Sequence, residues 1–161
     1  MGLIALCYAS RAAPGVGSAA LREIVEQSGP RNRADGITGC LVFEGGLFAQ
    51  VLEGPEKQVH ECARRIASDP RHSDLRVIWD QAIDERAFTD WTMGGVDLSD
   101  RAAEGGSLHA LRLDLRRFLE DTTTGSHVHF PEFFQHCVAV LREEAHREEI
   151  VVQPPGFMFA S

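Results

Sequence analysis

No stretch of the 161 residues approaches the ~18 consecutive apolar residues of a membrane-spanning helix, so the sequence predicts no membrane partner. The opening MGLIALCYAS has neither a basic n-region nor a long apolar run and is not expected to act as a signal peptide. A basic stripe is also missing. The net charge of −8 disfavours generic binding to nucleic acid or anionic lipid. The four cysteines, Cys7, Cys40, Cys62 and Cys137, form no C-x-x-C pair. The first three lie in apolar patterns, where buried free thiols belong, which points to a reducing, cytoplasmic setting. There is no G-x-S-x-G nucleophile elbow. His127, His129 and His136 lie near Glu132 and Cys137 but match no zinc spacing. They read as solvated or capping histidines, and no metal is expected. What is present is 43% hydrophobic and 25% charged, enough to bury a core in one domain with room for a small appendage.

Leu3 to Ala9 is an apolar run without alternation, the mark of a strand buried on both faces. Ser18 is a candidate N-cap, and Leu21, Ile24, Val25 and Ser28 follow at helical spacing until Gly29-Pro30, read as the stop. Ile37 to Phe43 and Leu47 to Glu53 read as strands joined by a Gly45-Gly46 hairpin turn. Val59, Cys62, Ala63 and Ile66 mark a second helix, and Leu75 to Ile83 and Trp91 to Leu98 two more strands. This order is the split β-α-β arrangement of ferredoxin-like folds with one strand added. The predicted class is α+β, a five-stranded sheet with two helices on one face. Beyond Asp100 the pattern turns helical: Leu108, Leu111, Leu115, Phe118 and Leu119 form one stripe, and Phe133, Phe134, Cys137, Val138 and Leu141 a second. These helices, over 105–120 and 131–147, are expected to cover the other sheet face or make a dimer contact. The expected division is a domain over 1–100, a helical extension over 101–150 and a loose tail over 151–161.

Gln50 is the informative oddity. Phe48, Gln50 and Leu52 point the same way along a strand, so a primary amide sits between two large apolar neighbours. Buried without partners it would cost ~1–3 kcal/mol. Tyr8, the sole tyrosine, ends the first strand in phase with Ile4 and Leu6. Asn32 sits in Arg31-Asn32-Arg33, ahead of the second strand. Taken alone, each has an ordinary explanation: a satisfied core amide, a rim tyrosine and a turn former. Gly15-Val16-Gly17-Ser18-Ala19-Ala20 matches the dinucleotide fingerprint G-x-G-x-x-A. However, its glycines begin six residues beyond the strand, and a hairpin follows where a crossover should.

Together, LCYAS with Tyr8, RNRADGITGCLVFEGGLFAQVLEGP with Asn32 and Gln50, DPRHSDL with Arg71 and His72, and FTDWTMG with Trp91 and Met93 resemble the BLUF family, the domains that sense blue light using FAD. The likeness covers about residues 1–98. It implies a non-covalent flavin, usually FAD with FMN or riboflavin as alternatives, between the two helices. Tyr8 then corresponds to the photoactive tyrosine, Gln50 to the switching glutamine and Asn32 to the asparagine that bonds the flavin carbonyl. Ile24 and Ile37 would flank the ring, Arg31, Arg71 and His72 would lie at its polar edge or phosphate, and Trp91 and Met93 would relay the switch. The resemblance implies a photoreceptor rather than an enzyme, without a catalytic output domain, whose output passes to its own homo-oligomer or a downstream protein. Two other readings stay open here. One is a flavin-dependent reductase, which would need an open substrate face and a nicotinamide site. The other is a ferredoxin-like interaction module without cofactor.

Overall fold

The computed structural model describes residues 2–98, 106–124, 130–143 and 150–153. Its strands are β1 (Leu3–Ala12), β2 (Thr38–Glu44), β3 (Leu47–Pro55), β4 (His72–Ile83), β5 (Met93–Asp97) and β6 (Ile150–Gln153), in one sheet ordered β4-β1-β3-β2-β5-β6. β1 to β4 pair antiparallel, β5 runs parallel to β2, and β6 runs antiparallel to β5. The helices are α1 (Ser18–Asp35), α2 (Glu56–Ala67), α3 (Gly106–Thr124) and α4 (Phe130–Glu143).

The central strands are apolar on both sides because helices cover both faces. On one face Ile4, Leu6 and Tyr8, Leu41 and Phe43, and Phe48 and Leu52 meet Leu21 and Val25 of α1 and Val59 and Cys62 of α2. On the other, Cys7, Cys40, Val42, Ala49 and Val51 meet Leu108, Leu111, Leu115 and Phe118 of α3 and Phe133, Cys137 and Leu141 of α4. The period of two along each strand thus divides two cores, and the two C-terminal stripes cover the second face. Each large side chain so buried contributes about 1.5–3 kcal/mol. β5 is squeezed between the two helical layers. A Cβ at Gly94 would come within 2.5 Å of Leu141 on α4, and one at Gly95 within 2.6 Å of Val25 on α1.

Two elements differ from the sequence-based expectation. Helix α1 does not stop at Gly29-Pro30 but runs to Asp35, so Asn32 is helical rather than part of a turn. Pro30 leaves the Glu26 carbonyl without its helical donor, but both residues are exposed and water can satisfy that oxygen. The true stop is Gly36, at φ 72°. Its N–H reaches the Arg33 carbonyl and the Ile37 N–H reaches the Asn32 carbonyl at 2.8 Å, the paired bonds of a Schellman motif. The N-cap is Gly17 rather than Ser18. Residues 150–153, expected in or next to a loose tail, instead extend the sheet to a sixth strand. Among the described residues no helix is long and apolar enough to cross a membrane.

Candidate functional site

Between α1 and α2, above the sheet, lies a cavity of about 320 Å³, within the range of small-molecule sites. Its floor is a row across three strands. Leu41 of β2 is opposite Gln50 of β3, and Gln50 is opposite Tyr8 of β1. Its walls are single helix faces. Ile24, Gln27, Ser28 and Arg31 line it from α1, and Cys62, Arg65, Ile66 and Asp69 from α2 and the turn beyond. Both sets repeat at i, i+3, i+4, i+7, the spacing that puts side chains on one helical face. Asn32, Phe48, Arg71 and His72 complete the lining.

The polar groups of the floor are bonded to one another. Tyr8 Oη donates to Gln50 Oε1, and Gln50 Nε2 donates to Met93 Sδ at 3.3 Å. Gln50 is only 4% exposed, so these partners are what satisfy its amide. Burial, reinforced by the thiols of Cys62 and Cys7 and the Asp69 carboxylate, lifts the Tyr8 hydroxyl well above its ordinary pKa. It therefore remains a neutral phenol. Asn32, also buried, donates Nδ2–H to the Thr92 carbonyl at 3.0 Å. At the rim, His72 is held at both ring nitrogens. Nε2–H donates to the Ile66 carbonyl, and Nδ1 is hydrogen-bonded to Ser10 Oγ at 2.7 Å. Arg71 grips Asp69 through Nη2 at 2.6 Å and Nε at 3.0 Å, holding that carboxyl below its usual range. Arg65 pairs with Asp35 at 3.2 Å.

Tyr8, Gln50, Asn32, Ile24, Arg31, Arg71 and His72 thus meet around one cavity. Three other residues singled out in the sequence do not line it. Ile37 is fully buried in the same apolar cluster but is not part of the lining. Met93 lies on the cavity side of the sheet behind Gln50, whereas Trp91 packs on the opposite face with Phe88, ring centroids 6.5 Å apart. His136 is not free in solvent, since its Nδ1 bonds Asp114 Oδ2 across α3 and α4. His127 and His129 lie outside the described residues.

Sequence reasoning missed Gln27, Ser28, Cys62, Arg65, Ile66 and Asp69 as lining, although their helical spacing was there to read. It also missed Glu53, buried in β3. Its carboxylate accepts the backbone N–H groups of Ala87 at 2.7 Å and Phe88 at 2.8 Å and the Thr38 hydroxyl at 3.0 Å. It thereby fixes the loop that leads to Trp91 and Met93. Burial lifts its pKa, while these three donors and Arg86 pull it back down.

The family described as sensors of blue light using FAD, BLUF, matches residues 3–94, more than half of the chain. The chain belongs to the BLUF family. Photoactivated adenylate cyclase subunit beta of Euglena gracilis is 36% identical over 92 residues, 56% of this chain and 11% of that protein. The blue light- and temperature-regulated antirepressor BluF of Escherichia coli K12 is 44% identical over 55 residues, 34% of this chain and 14% of that one. The chain therefore spans only a small part of the length of these curated relatives. The dark-state structure of BlrB, a BLUF protein, is similar over 87% of this chain and 98% of its own, with 33% identity and a TM-score of 0.67.

FAD is the chromophore of this family, and the residues present fit it. Apolar side chains of two facing helices, Ile24 and Ile66, make a slot for a flat ring. The amides of Asn32 and Gln50 suit the donor and acceptor edge of such a ring. Arg31, Arg65 and Arg71 around the opening suit a phosphate-bearing tail.

Proposed function

We propose that this chain is a blue-light switch whose moving part is the Gln50 amide, set by Tyr8 on one side and Met93 on the other. The observation that carries this reading is the buried chain Tyr8–Gln50–Met93 on the cavity floor. Bound FAD would supply absorption of blue light and, once excited, a strong oxidising centre. Everything else falls to the protein. Tyr8 is an oxidisable side chain that keeps its proton on Oη, beside the Gln50 carbonyl oxygen. Gln50 presents Oε1 to Tyr8 and Nε2 to Met93. A half-turn or tautomerisation of the amide would exchange donor and acceptor at both positions. Little is lost at the Met93 end, because a thioether is a weak acceptor. That makes the amide bistable, and light need only shift its population. Asn32 would orient the ring edge, with its own amide fixed by Thr92. Ile24 would form one side of the slot, with Ile37 buttressing it from behind. Arg31 and Arg71 would hold the polar tail, and His72, tied to Ser10 and Ile66, would close the rim.

Output would leave through β5. Met93 lies behind Gln50, the adjacent Gly94 abuts Leu141 of α4, and Trp91 belongs to the core shared with α3 and α4. The flavin-binding unit over 1–100 would thus signal through the helices of 101–150, to a second copy or a downstream protein. The four buried free cysteines support a reducing, cytoplasmic setting. The test is the absorption spectrum before and after blue light. The expected result is a yellow protein with about one oxidised flavin per chain, a red shift in the light and recovery in the dark. A colourless protein that FAD cannot reconstitute, or lasting bleaching, would overturn the reading.

A further inference from the structure

The hydrogen bonds of the cavity continue past β5. Asn32 donates to the Thr92 carbonyl. Thr92 in turn donates its backbone N–H at 2.8 Å and its hydroxyl at 3.1 Å to one acceptor, the Gln153 carbonyl on β6. A carbonyl has two lone pairs, so this oxygen is committed to Thr92. In the β5–β6 ladder Gln153 is opposite Met93. Its side chain also reaches α1, since a Cβ at Gly29 would lie 2.9 Å from both Gln153 Cγ and Oε1. Gly29 is about one helical turn before Asn32. One residue, itself outside the cavity lining, therefore touches the strand that carries Met93 and the helix that carries Asn32.

We infer that Gln153 is a positioning residue for the chromophore site. It fixes Thr92, and through Thr92 the Asn32 amide and the start of β5, so that β6 both sets and senses the state of the Gln50 switch. The inference rests on the reading of Asn32 and Gln50 given above. It adds the C-terminal strand as a second route for output beside α3 and α4.

Three full-length variants test it: Gly29→Ala, which pushes the Gln153 side chain away; Thr92→Val, which removes the hydroxyl bond at nearly constant shape; and Gly29→Ala combined with Gln153→Ala, which removes the obstruction. Dark recovery after blue light and FAD affinity are measured on all three. Hydrogen exchange of the Thr92 amide is followed in flavin-free protein. Gly29→Ala and Thr92→Val are each expected to change recovery or affinity by about fivefold or more and to speed Thr92 exchange. The double variant is expected to move back toward wild type. If both single variants stay within about fivefold of wild type, Gln153 is only a strand residue and the inference falls. Should one variant fail to fold, the other decides. A wild-type protein with no light-driven shift would instead remove the switch reading, and the affinity and exchange data would still decide the role of Gln153.

Discussion

Tyr8 is the sole tyrosine, so a single ultraviolet titration reports one buried hydroxyl on the cavity floor. Burial keeps it protonated well above the ordinary value of 10.0. In the unfolded chain it ionises near that value, so above pH 10 the native state holds a proton that the unfolded state has lost. The sign follows directly: stability falls as pH rises, by about 1.4 kcal/mol per pH unit for each such group. The thiols of Cys7 and Cys137, fully buried and likewise held up by desolvation, add the same slope above their ordinary value of 9.0. Above pH 10, where the native state holds protons that the unfolded chain has lost, the three groups together give a slope of roughly 4 kcal/mol per pH unit, against a total stability of about 5–15 kcal/mol for a typical domain. Cooperative alkaline unfolding is therefore expected above that pH, with tyrosinate absorbance appearing in the same transition. The assay follows tyrosinate absorbance and circular dichroism on one sample, with Tyr8→Phe as the blank for flavin and other absorbers. Tyrosinate forming with a midpoint near pH 10 while the dichroism stays native would refute the argument, because the hydroxyl would then be open to water.

Tyr8→Phe and Gln50→Leu are each expected to retain flavin and to lose the red-shifted state, since one removes the proton-bearing phenol and the other the amide at roughly constant size; a normal photocycle in either would show that the residues are wrongly assigned. Met93→Ala is expected to abolish light-dependent differences in hydrogen exchange over the described parts of α3 and α4, and equal protection in dark and light in the wild type would leave those helices as cover only. Glu53→Gln turns an amide N–H₂ toward a donor that the carboxylate now accepts, and should lower stability by about 1–3 kcal/mol. An unchanged urea midpoint at fixed flavin loading would contradict the role given to Glu53.

The chemistry of the site was more legible in the sequence than its supports, and particular residues show why. Gln50 stands out because a strand's period of two is local: Phe48 and Leu52 declare the buried face, and an amide between them needs partners. The two sheet faces follow from the same period. Gly29-Pro30, by contrast, reads as a helix stop on local chemistry, yet Gly29 is small because Gln153 of a distant strand presses on α1, and the real stop is the left-handed Gly36. Arg31 and Asn32 consequently lost their helical phase, and with it the i, i+3, i+4, i+7 wall to which Arg31 belongs. β6 is four residues long, and its pairing is decided by the open edge of β5 rather than by its own pattern. Trp91 and Met93, two apart, would share a face if one strand ran through both. Instead Trp91 closes a turn onto the Phe88 carbonyl at 3.2 Å and β5 begins only at Met93, which puts the pair on opposite faces. Apart from the local turn at Trp91, these misses are places where a contact across the fold overrode a local signal, and several of those contacts converge on Thr92, Gln153 and the start of β5. The part of the chain that local pattern describes worst is therefore the part where chromophore cavity, sheet edge and C-terminal strand are tied together. A switch whose state must be read at a distance needs such non-local ties.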